Sequence, residues 1–202
     1  MGLRFARFGV AIAASAALLS GCATGYLLDN QVQSFSQLQG APAPYAYRFE
    51  RSLSQQADPA QQALEALADP ALHKVGLRRD DAAPRYTVQV SARTERMLSP
   101  YADPWSPFGW SIGFGGPHIG FGFGGPFPRG DQPWYRREVG VIVRELPANR
   151  VVYETRAFND GPWLDNRAVL PAMFEAALQG FPNPPPGPRR VDIHVGGKTA
   201  AN

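Results

Sequence analysis

Hydrophobic and polar residues alternate with a period of two in several stretches of the chain. The most regular stretch begins at Tyr86, where Tyr86, Val88, Val90 and Ala92 alternate with polar residues as far as Glu95. Because successive side chains of a β-strand point to opposite faces, this alternation predicts a strand with one buried face. Similar patterns predict further strands over residues 45–50, 134–146, 151–158 and 191–195.

Two other stretches have apolar residues at helical spacing. The first helix is predicted to open at Asp58, which can cap it, with Pro59 in its first turn. Asp69-Pro70 is predicted to interrupt this helix, with a second turn that runs on to Gly76. Its apolar stripe consists of Ala60, Ala63, Leu64 and Leu67.

The second helix is predicted to open at Asp165 or Asn166, with Pro171 in its first turn. Gly180 and Pro182 are expected to end it. The apolar stripe of this helix consists of Leu170, Met173, Phe174, Ala177, Leu178 and Phe181.

This order of elements predicts an α+β fold. Neighbouring strands joined by turns favour antiparallel pairing, and half-polar strands indicate a sheet that is covered on one face only. We therefore expect two helices packed on one face of a mostly antiparallel four- or five-stranded sheet. Mixed charges on the polar strand faces suit either a solvated sheet face or a polar binding surface: Arg93, Glu95, Arg136, Glu138, Arg144, Glu154 and Arg156.

The first 21 residues have the organisation of a secretory leader. Arg4 and Arg7 are their only charges, and residues 9–19 form an uncharged, apolar run. A run of about ten apolar residues is too short to span a bilayer but has the length of a signal-peptide core. The leader ends immediately before Cys22, which is the single cysteine of the chain.

Leu19-Ser20-Gly21-Cys22 resembles the lipobox of bacterial lipoproteins. The resemblance implies that the Cys22 thiol receives a diacylglycerol, that the leader is removed before Cys22, and that the new amine is acylated. Two or more acyl chains give stable membrane anchoring, whereas one binds reversibly. Ala23 follows where an aspartate would favour inner-membrane retention, so the resemblance implies the periplasmic face of the outer membrane. An ordinary secreted protein with an incidental cysteine is the alternative.

These signals divide the chain into four parts. Residues 1–21 are predicted to be the lipoprotein signal peptide, and residues 22–42 the lipidated N-terminus with a Gln- and Pro-containing tether. A single α+β domain is expected over residues 43–197, with an insertion at 99–133, followed by a tail at 198–202. A short strand around Tyr26-Leu27-Leu28 is the alternative for part of the tether.

The insertion alternates glycine with large apolar residues. One interpretation is a long loop without a fixed role, and the other is an extended hairpin whose exposed apolar side chains bind a partner or lipid. The candidate residues of this partner-binding flap are Trp105, Trp110, Phe114, Phe121 and Phe123. A phosphate-binding loop is disfavoured, because no Lys-Ser/Thr pair or helix N-terminus follows the glycines.

The whole pattern resembles a group of proteobacterial lipoproteins that are described only as a domain of unknown function. The resemblance is carried by the lipobox leader, the strand-helix-strand start, the central Gly/aromatic insertion and the final helix that ends in Phe181-Pro182. It implies an envelope location and an α+β domain. It implies no catalytic residue.

No arrangement of residues in the sequence indicates a reaction. His73, His118 and His194 lack metal-ligand spacing, and Asp80-Asp81, Asp160 and Asp165 are better explained by turns and helix capping. Lipidation of the only cysteine would exclude thiol catalysis and an internal disulfide. We therefore predict no catalytic residue, no metal site and no cofactor.

The expected function is that of a non-enzymatic binding or structural module of the cell envelope. Its partner would be an envelope protein, a glycan or a lipid, in addition to the membrane that holds the anchor. The formal net charge of +3 includes the two arginines of the leader, and no basic run is present, so no nucleic-acid partner is expected. The alternatives are an accessory factor of a cell-wall enzyme and an enzyme of unrecognised type.

Overall fold

Seven strands and two helices make up the described part of the chain. The computed structural model describes residues 25–38, 43–97, 99–100 and 133–196. The elements in chain order are β1 (Tyr26–Ser36), β2 (Tyr45–Phe49), α1 (Pro59–Lys74), β3 (Leu77–Arg79), β4 (Tyr86–Met97), β5 (Trp134–Glu145), β6 (Arg150–Gly161), α2 (Asn166–Leu178) and β7 (Arg189–Val195). The strands form one sheet in the order β3-β2-β4-β5-β6-β1-β7.

The predicted four- or five-stranded, mostly antiparallel sheet was wrong, because the sheet has seven strands and is mixed. Strand β2 pairs in parallel with both β3 and β4, while the remaining pairs are antiparallel. The parallel pairs follow from α1, which carries the chain back across the sheet between β2 and β3. Strand β3 has only three residues, too few for a recognisable alternation.

Residues 22–42, for which the sequence favoured a tether with a short strand as the alternative, include a strand of the sheet. Residues 26–36 form β1, which lies between β6 and β7 and pairs antiparallel with both. Its buried positions include Leu28, Asn30, Val32 and Ser34, and only two of these are apolar. Polar residues on the buried face hid the alternation of this strand from sequence interpretation.

Both helices begin at the predicted caps. The side chain of Asp58 accepts a hydrogen bond from the Ala60 amide at 2.8 Å, and that of Asp165 accepts one from the Arg167 amide at 2.8 Å. Helix α1 continues through Pro70, so the predicted interruption was wrong. Pro171 was expected in the first turn of α2, but it lies inside the helix beyond that turn.

The core lies between the sheet and the two helices, which contact each other. Valines of β4 and β5 supply its sheet side, and α2 supplies most of its helical side. The hydroxyl of Thr155 on β6 donates to the Ala177 carbonyl of α2 at 2.7 Å, so one polar contact fixes the helix on the sheet. The predicted alternation of β4, with Tyr86, Val88 and Val90 inward, is confirmed for these three residues.

Tyr47 on β2 connects the sheet to α1. Its side chain is fully buried, and its hydroxyl donates to Oδ1 of Asp69 at 2.8 Å. Burial raises the pKa of Tyr47 strongly, and the hydrogen bond to Asp69 raises that pKa further. The folded protein therefore holds this proton at pH values where the unfolded chain, with a tyrosine pKa near 10, releases it.

Tyr47 should make the protein lose stability in alkali. The contribution of its raised pKa is fully present below about pH 10 and declines as the pH rises above that value. We expect the free energy of unfolding of Tyr47→Phe to fall less steeply above pH 10 than that of the wild type. At pH 7 the variant should be less stable by about 1 kcal/mol, because one hydrogen bond is lost. Urea denaturation at a series of pH values measures both effects, and parallel curves for the two proteins would contradict the assignment.

Candidate functional site

The lipobox and flap residues that the sequence singled out lie outside the described part of the chain. These are the lipobox residues Leu19, Ser20, Gly21 and Cys22, and the flap residues Trp105, Trp110, Phe114, Phe121 and Phe123. Among the described residues, Met97 at the end of β4 pairs with Trp134 at the start of β5, which marks one end of the sheet. Strand β1 starts at the same end, which we call the Tyr26 end.

The sheet face opposite the helices is open, and charged side chains cover much of it. This open face carries all seven of the charged residues that the strand patterns placed together. Asp29, Glu50, Asp160, Arg190 and Asp192 add to them.

Opposite charges face each other across the strands of the open face. Arg93 pairs in register with Glu138, and Glu95 with Arg136. Nε of Arg136 lies 3.2 Å from Oδ1 of Asp160. The guanidinium of Arg156 has Nη1 3.9 Å from Oε1 of Glu138 and Nη2 3.2 Å from Oε1 of Glu154. Each exposed pair of this kind contributes at most about 1 kcal/mol, so the arrangement gives charge complementarity rather than much stability.

Two exposed phenylalanines interrupt the charges. Phe158 on β6 is 40% exposed, and Phe35 on β1 is 61% exposed. Both point to the open face, because the residues before and after each of them are buried against the core side or lie at the strand end. Phe158 lies directly opposite Glu138, so an aromatic ring lies within the charged rows.

A glycine lies within the open face. Gly140 on β5 lies between Ser91 on β4 and Arg156 on β6. A Cβ atom at Gly140 would lie 2.8 Å from the Ser91 hydroxyl oxygen, so glycine allows this close approach.

A groove of about 600 Å³ borders the open face beside Phe35, at the end opposite the Tyr26 end. The proline-rich loop after α2 forms its second wall with Pro184, Pro186 and Gly187. Val151, which is 39% exposed, lies on its floor with Tyr153. Phe35 thus belongs to both the open face and this groove, and it joins them into one surface.

A buried arginine lies beneath the Tyr26 end. Arg137 on β5 is fully buried and lies opposite Asn159 on β6. Its Nε donates to Oδ1 of Asn166 at 2.7 Å, and its Nη2 donates to the Trp163 carbonyl. The guanidinium carbon lies 4.9 Å from the centre of the Tyr135 ring. Burial lowers the pKa of Arg137, which Tyr135 partly offsets.

The Arg137 contacts also support the packing of Tyr26, the first residue of β1. Trp163, whose carbonyl accepts from Arg137, stacks on Tyr26 with ring centroids 3.9 Å apart and planes at 16°. A Cβ atom at Gly161 would lie 2.9 Å from the Trp163 ring, so glycine is required for this packing. The first residue of β1 is therefore fixed to the β6–α2 loop through an aromatic stack that Arg137 supports.

The Arg137 cluster contains polar atoms that are buried and have no partner among the described residues. Nη1 of Arg137 and Oδ1 of Asn159 are two of them. The sequence interpretation missed Arg137, although one signal was present. Arg137 has the same phase as Val139, Val141 and Val143, so the alternation of β5 places it on the buried face.

The carboxylates and histidines considered for catalysis have other roles or stand apart. Oδ1 of Asp80 accepts from the amides of Ala82 and Ala83, both at 3.0 Å, while Asp160 pairs with Arg136 and Asp165 caps α2. His73 and His194 are exposed, and His118 lies outside the described residues. Within the described ranges, no group of three or more His, Cys, Asp or Glu residues could hold a metal ion. No helix of those ranges is long and apolar enough to span a bilayer.

This architecture defines a domain that is mostly sheet, with two helices on a seven-stranded mixed sheet. The chain belongs to the family Domain of unknown function (DUF4136), whose model matches residues 29–183. The match begins inside β1, in agreement with the place of this strand in the sheet. No curated protein matches the chain.

Solved structures with a similar chain path are remote in sequence. A PDZ domain protein from Parabacteroides distasonis is 14% identical, with a TM-score of 0.49 over 91% of this chain and 42% of that protein. The chain thus spans less than half the length of that protein. A PelC dodecamer from Paraburkholderia phytofirmans in space group P6 is 11% identical, with a TM-score of 0.46 over 80% of this chain and 100% of that chain. A second PelC dodecamer structure, in space group C2, gives 12% identity and a TM-score of 0.43 over 77% and 95%.

Arg137 should tolerate replacement by lysine poorly. Lysine keeps the positive charge but cannot present the planar donors that reach both Asn166 and Trp163. Because a buried acceptor left without a donor costs about 1–3 kcal/mol, we expect Arg137→Lys to lower the free energy of unfolding by about 2 kcal/mol or more.

The neighbouring Arg136 provides the matched control. Its side chain is 53% exposed and its ion pair with Asp160 faces solvent, so Arg136→Lys should change stability by less than about 0.5 kcal/mol. Urea denaturation of the wild type, Arg137→Lys and Arg136→Lys measures the loss in the free energy of unfolding. Equal losses in the two variants would show that Arg137 is not the polar contact that holds this end of the domain.

Proposed function

We propose that this protein is a lipoprotein of the bacterial outer membrane, held on its periplasmic face by acyl groups on Cys22. The domain would bind an envelope partner through the open face of its sheet and would catalyse no reaction. Two features support the proposal: the lipobox-like sequence Leu19-Ser20-Gly21-Cys22, and an open face that carries exposed aromatic rings among arginines.

The position of β1 supports a short anchor. Cys22 precedes Tyr26 by only four residues, which span at most about 14 Å when fully extended. An acylated Cys22 would therefore keep the Tyr26 end close to the lipid headgroups. The stack of Tyr26 on Trp163 would transmit this attachment to the body of the domain.

The composition of the open face favours a protein partner. Phenylalanine and arginine are enriched in protein interfaces, where a few buried aromatic anchors supply most of the binding energy. Phe35 and Phe158 have the exposure that such anchors need before binding. Arg156, between the rows of these two phenylalanines, pairs with Glu138 and Glu154 and offers a charged neighbour to both.

The structural contacts of the three aspartates considered for catalysis support a non-enzymatic function. Asp80 orders a turn, Asp160 pairs with Arg136, and Asp165 caps α2. Each of these carboxylates thus has a structural partner. The open face supplies charges that pair with one another across strands rather than a convergent group of catalytic side chains.

Lipidation predicts a specific mass and a specific loss of membrane binding. Protein extracted from membranes should have the mass of residues 22–202 plus a diacylglyceryl group and a third acyl chain. Cys22→Ser should lack these groups, while the nearby control Thr24→Ser should keep them and stay in the membrane fraction after a high-salt wash. A wild-type mass that includes residues 1–21, or that lacks acyl groups, would refute the anchor whatever the variant does.

Partner binding predicts loss of capture when the aromatic rings are removed. We expect Phe35→Ser/Phe158→Ser to recover at least about tenfold less envelope protein in a crosslinking pull-down, because two anchors are lost. Leu53→Ser is the matched control, since Leu53 is 88% exposed and lies outside the strands. Deletion of residues 101–130 tests the flap separately.

Three outcomes distinguish the possibilities. If the phenylalanine variant captures as much protein as the wild type, the open face is not the partner-binding surface. Loss of capture only in the deletion would assign binding to the flap instead. Binding of the purified domain to isolated cell-wall glycan or lipid vesicles, with no protein captured, would overturn the choice of a protein partner.

A further inference from the structure

The second half of β4 is an edge of the sheet, although its first half is an interior strand. Strand β2 pairs with β4 only from Tyr86 to Val88. Residues 91–96 are exposed on both faces of the sheet, and among the described strands only β5 pairs with them. This segment, Ser91–Met97, is the β4 edge.

The backbone groups that face outward along this edge belong to the even-numbered residues. The Val88 carbonyl accepts from the Glu50 amide on this side, and the Val90 carbonyl accepts from the Gln61 side chain. Because backbone direction alternates along a strand, Ala92, Thr94 and Arg96 present their N–H and C=O groups to the same side. The edge thus has three residues in the correct phase to pair with a further strand.

We infer that the β4 edge pairs with the β4 edge of a second copy of this chain. The two strands would run antiparallel about a two-fold axis at Thr94, so that Thr94 faces its own counterpart. Ala92 would then lie opposite Arg96 of the second copy, and Arg93 opposite Glu95. Three hydrogen-bonded pairs of this kind exchange about six backbone hydrogen bonds.

Charge complementarity across the seam supports this pairing. On the open face Asp160 lies opposite Arg136, which lies opposite Glu95. The proposed partner of Glu95 is Arg93 of the second copy, whose neighbour on β5 is Glu138. Charges therefore alternate in sign through the row from one molecule into the next, and opposite charges face each other across the seam.

The charges also select the register. A two-fold axis at residue 93 would place Arg93 against its own copy, and an axis at residue 95 would do the same for Glu95. An axis between two residues would join side chains from opposite faces of the sheet. Only the axis at Thr94 satisfies the backbone phase, the faces and both charge pairs.

The seam is short, so the association is expected to be weak in dilute solution. Because the axis is normal to the sheet, Tyr26 of both copies lies at the same height relative to a membrane parallel to the sheet. If Cys22 is acylated as proposed, both anchors can enter one bilayer, which raises the effective concentration of the second copy. The pairing itself does not depend on acylation.

Two charge reversals test the pairing through a mixed complex. In Arg93→Glu, both seam pairs of a homodimer become Glu–Glu, and in Glu95→Arg both become Arg–Arg. A mixed complex of the two variants restores two opposite-charge pairs. The contacts of each variant with its own β5 are the same in the homodimer and in the mixed complex, so only the seam differs.

The measurement is sedimentation of the detergent-solubilised full chain, with different tags on the two variants. We expect each variant alone to associate at least about fivefold more weakly than the wild type, and the mixture to recover most of the wild-type affinity. Equal association of all proteins would refute the register. If the wild type and all variants are monomeric, the charges serve only to protect an exposed edge, and the pairing is wrong.

A single cysteine gives an independent readout of the axis. Residues opposite each other in a hydrogen-bonded antiparallel pair have Cα atoms about 5.5 Å apart, within the range for a disulfide. Thr94→Cys should therefore form disulfide-linked dimers in membranes under mild oxidation. In Arg93→Cys the Cα atoms of the two cysteines would lie diagonally across the seam, about 8 Å apart, so little crosslinking is expected.

The wild type, which has Cys22 alone, is the background control for the crosslinking. Efficient dimer formation by Arg93→Cys, or none by Thr94→Cys, would refute the axis at Thr94. These results are separate from those of the acylation experiment, since a failed anchor leaves the sedimentation test unchanged.

Discussion

The structure depends on the pairing of β1 between β6 and β7. Among the described strands, β7 joins the sheet only through β1, and Leu28 and Val32 of β1 lie in the core beneath α2. The backbone hydrogen bonds of this pairing fix two strands at once, so the segment nearest Cys22 is a structural part of the domain. A lipid anchor at Cys22 would thus attach to the sheet itself, with little chain between lipid and protein.

Buried polar groups reinforce this end of the domain. Arg137 joins β5 to the β6–α2 loop, and Trp163 in that loop stacks on Tyr26. A guanidinium taken out of water needs good acceptors; the loop provides the Trp163 carbonyl, and Asn166 at the start of α2 provides its side-chain amide oxygen. The cost of burying this charge is therefore offset only when the loop and β1 are in place, which couples the loop conformation to the entry of the chain into the sheet.

The two faces of the sheet differ in composition because of the same period-two alternation. Inward residues of β4, β5 and β6 form the core, and the residues between them form the open face with its charge pairs and its phenylalanines. Where β2 ends, the second half of β4 loses its neighbour and its helix cover together. Within the described ranges, the open face and the β4 edge are both left uncovered because the helices and β2 do not extend over them.

The sequence by itself determined the local elements: the alternation of β4, the caps at Asp58 and Asp165, and the charged strand faces, because these depend on spacing between near neighbours. Only the tertiary structure decided the size of the sheet, the parallel pairing of β2, the place of β1 and the burial of Arg137. These depend on partners far along the chain, such as Arg189 opposite Val32, and local spacing holds no information about which distant strand supplies the hydrogen bonds. For the same reason Pro70 could remain inside α1, where the surrounding core outweighs its local preference.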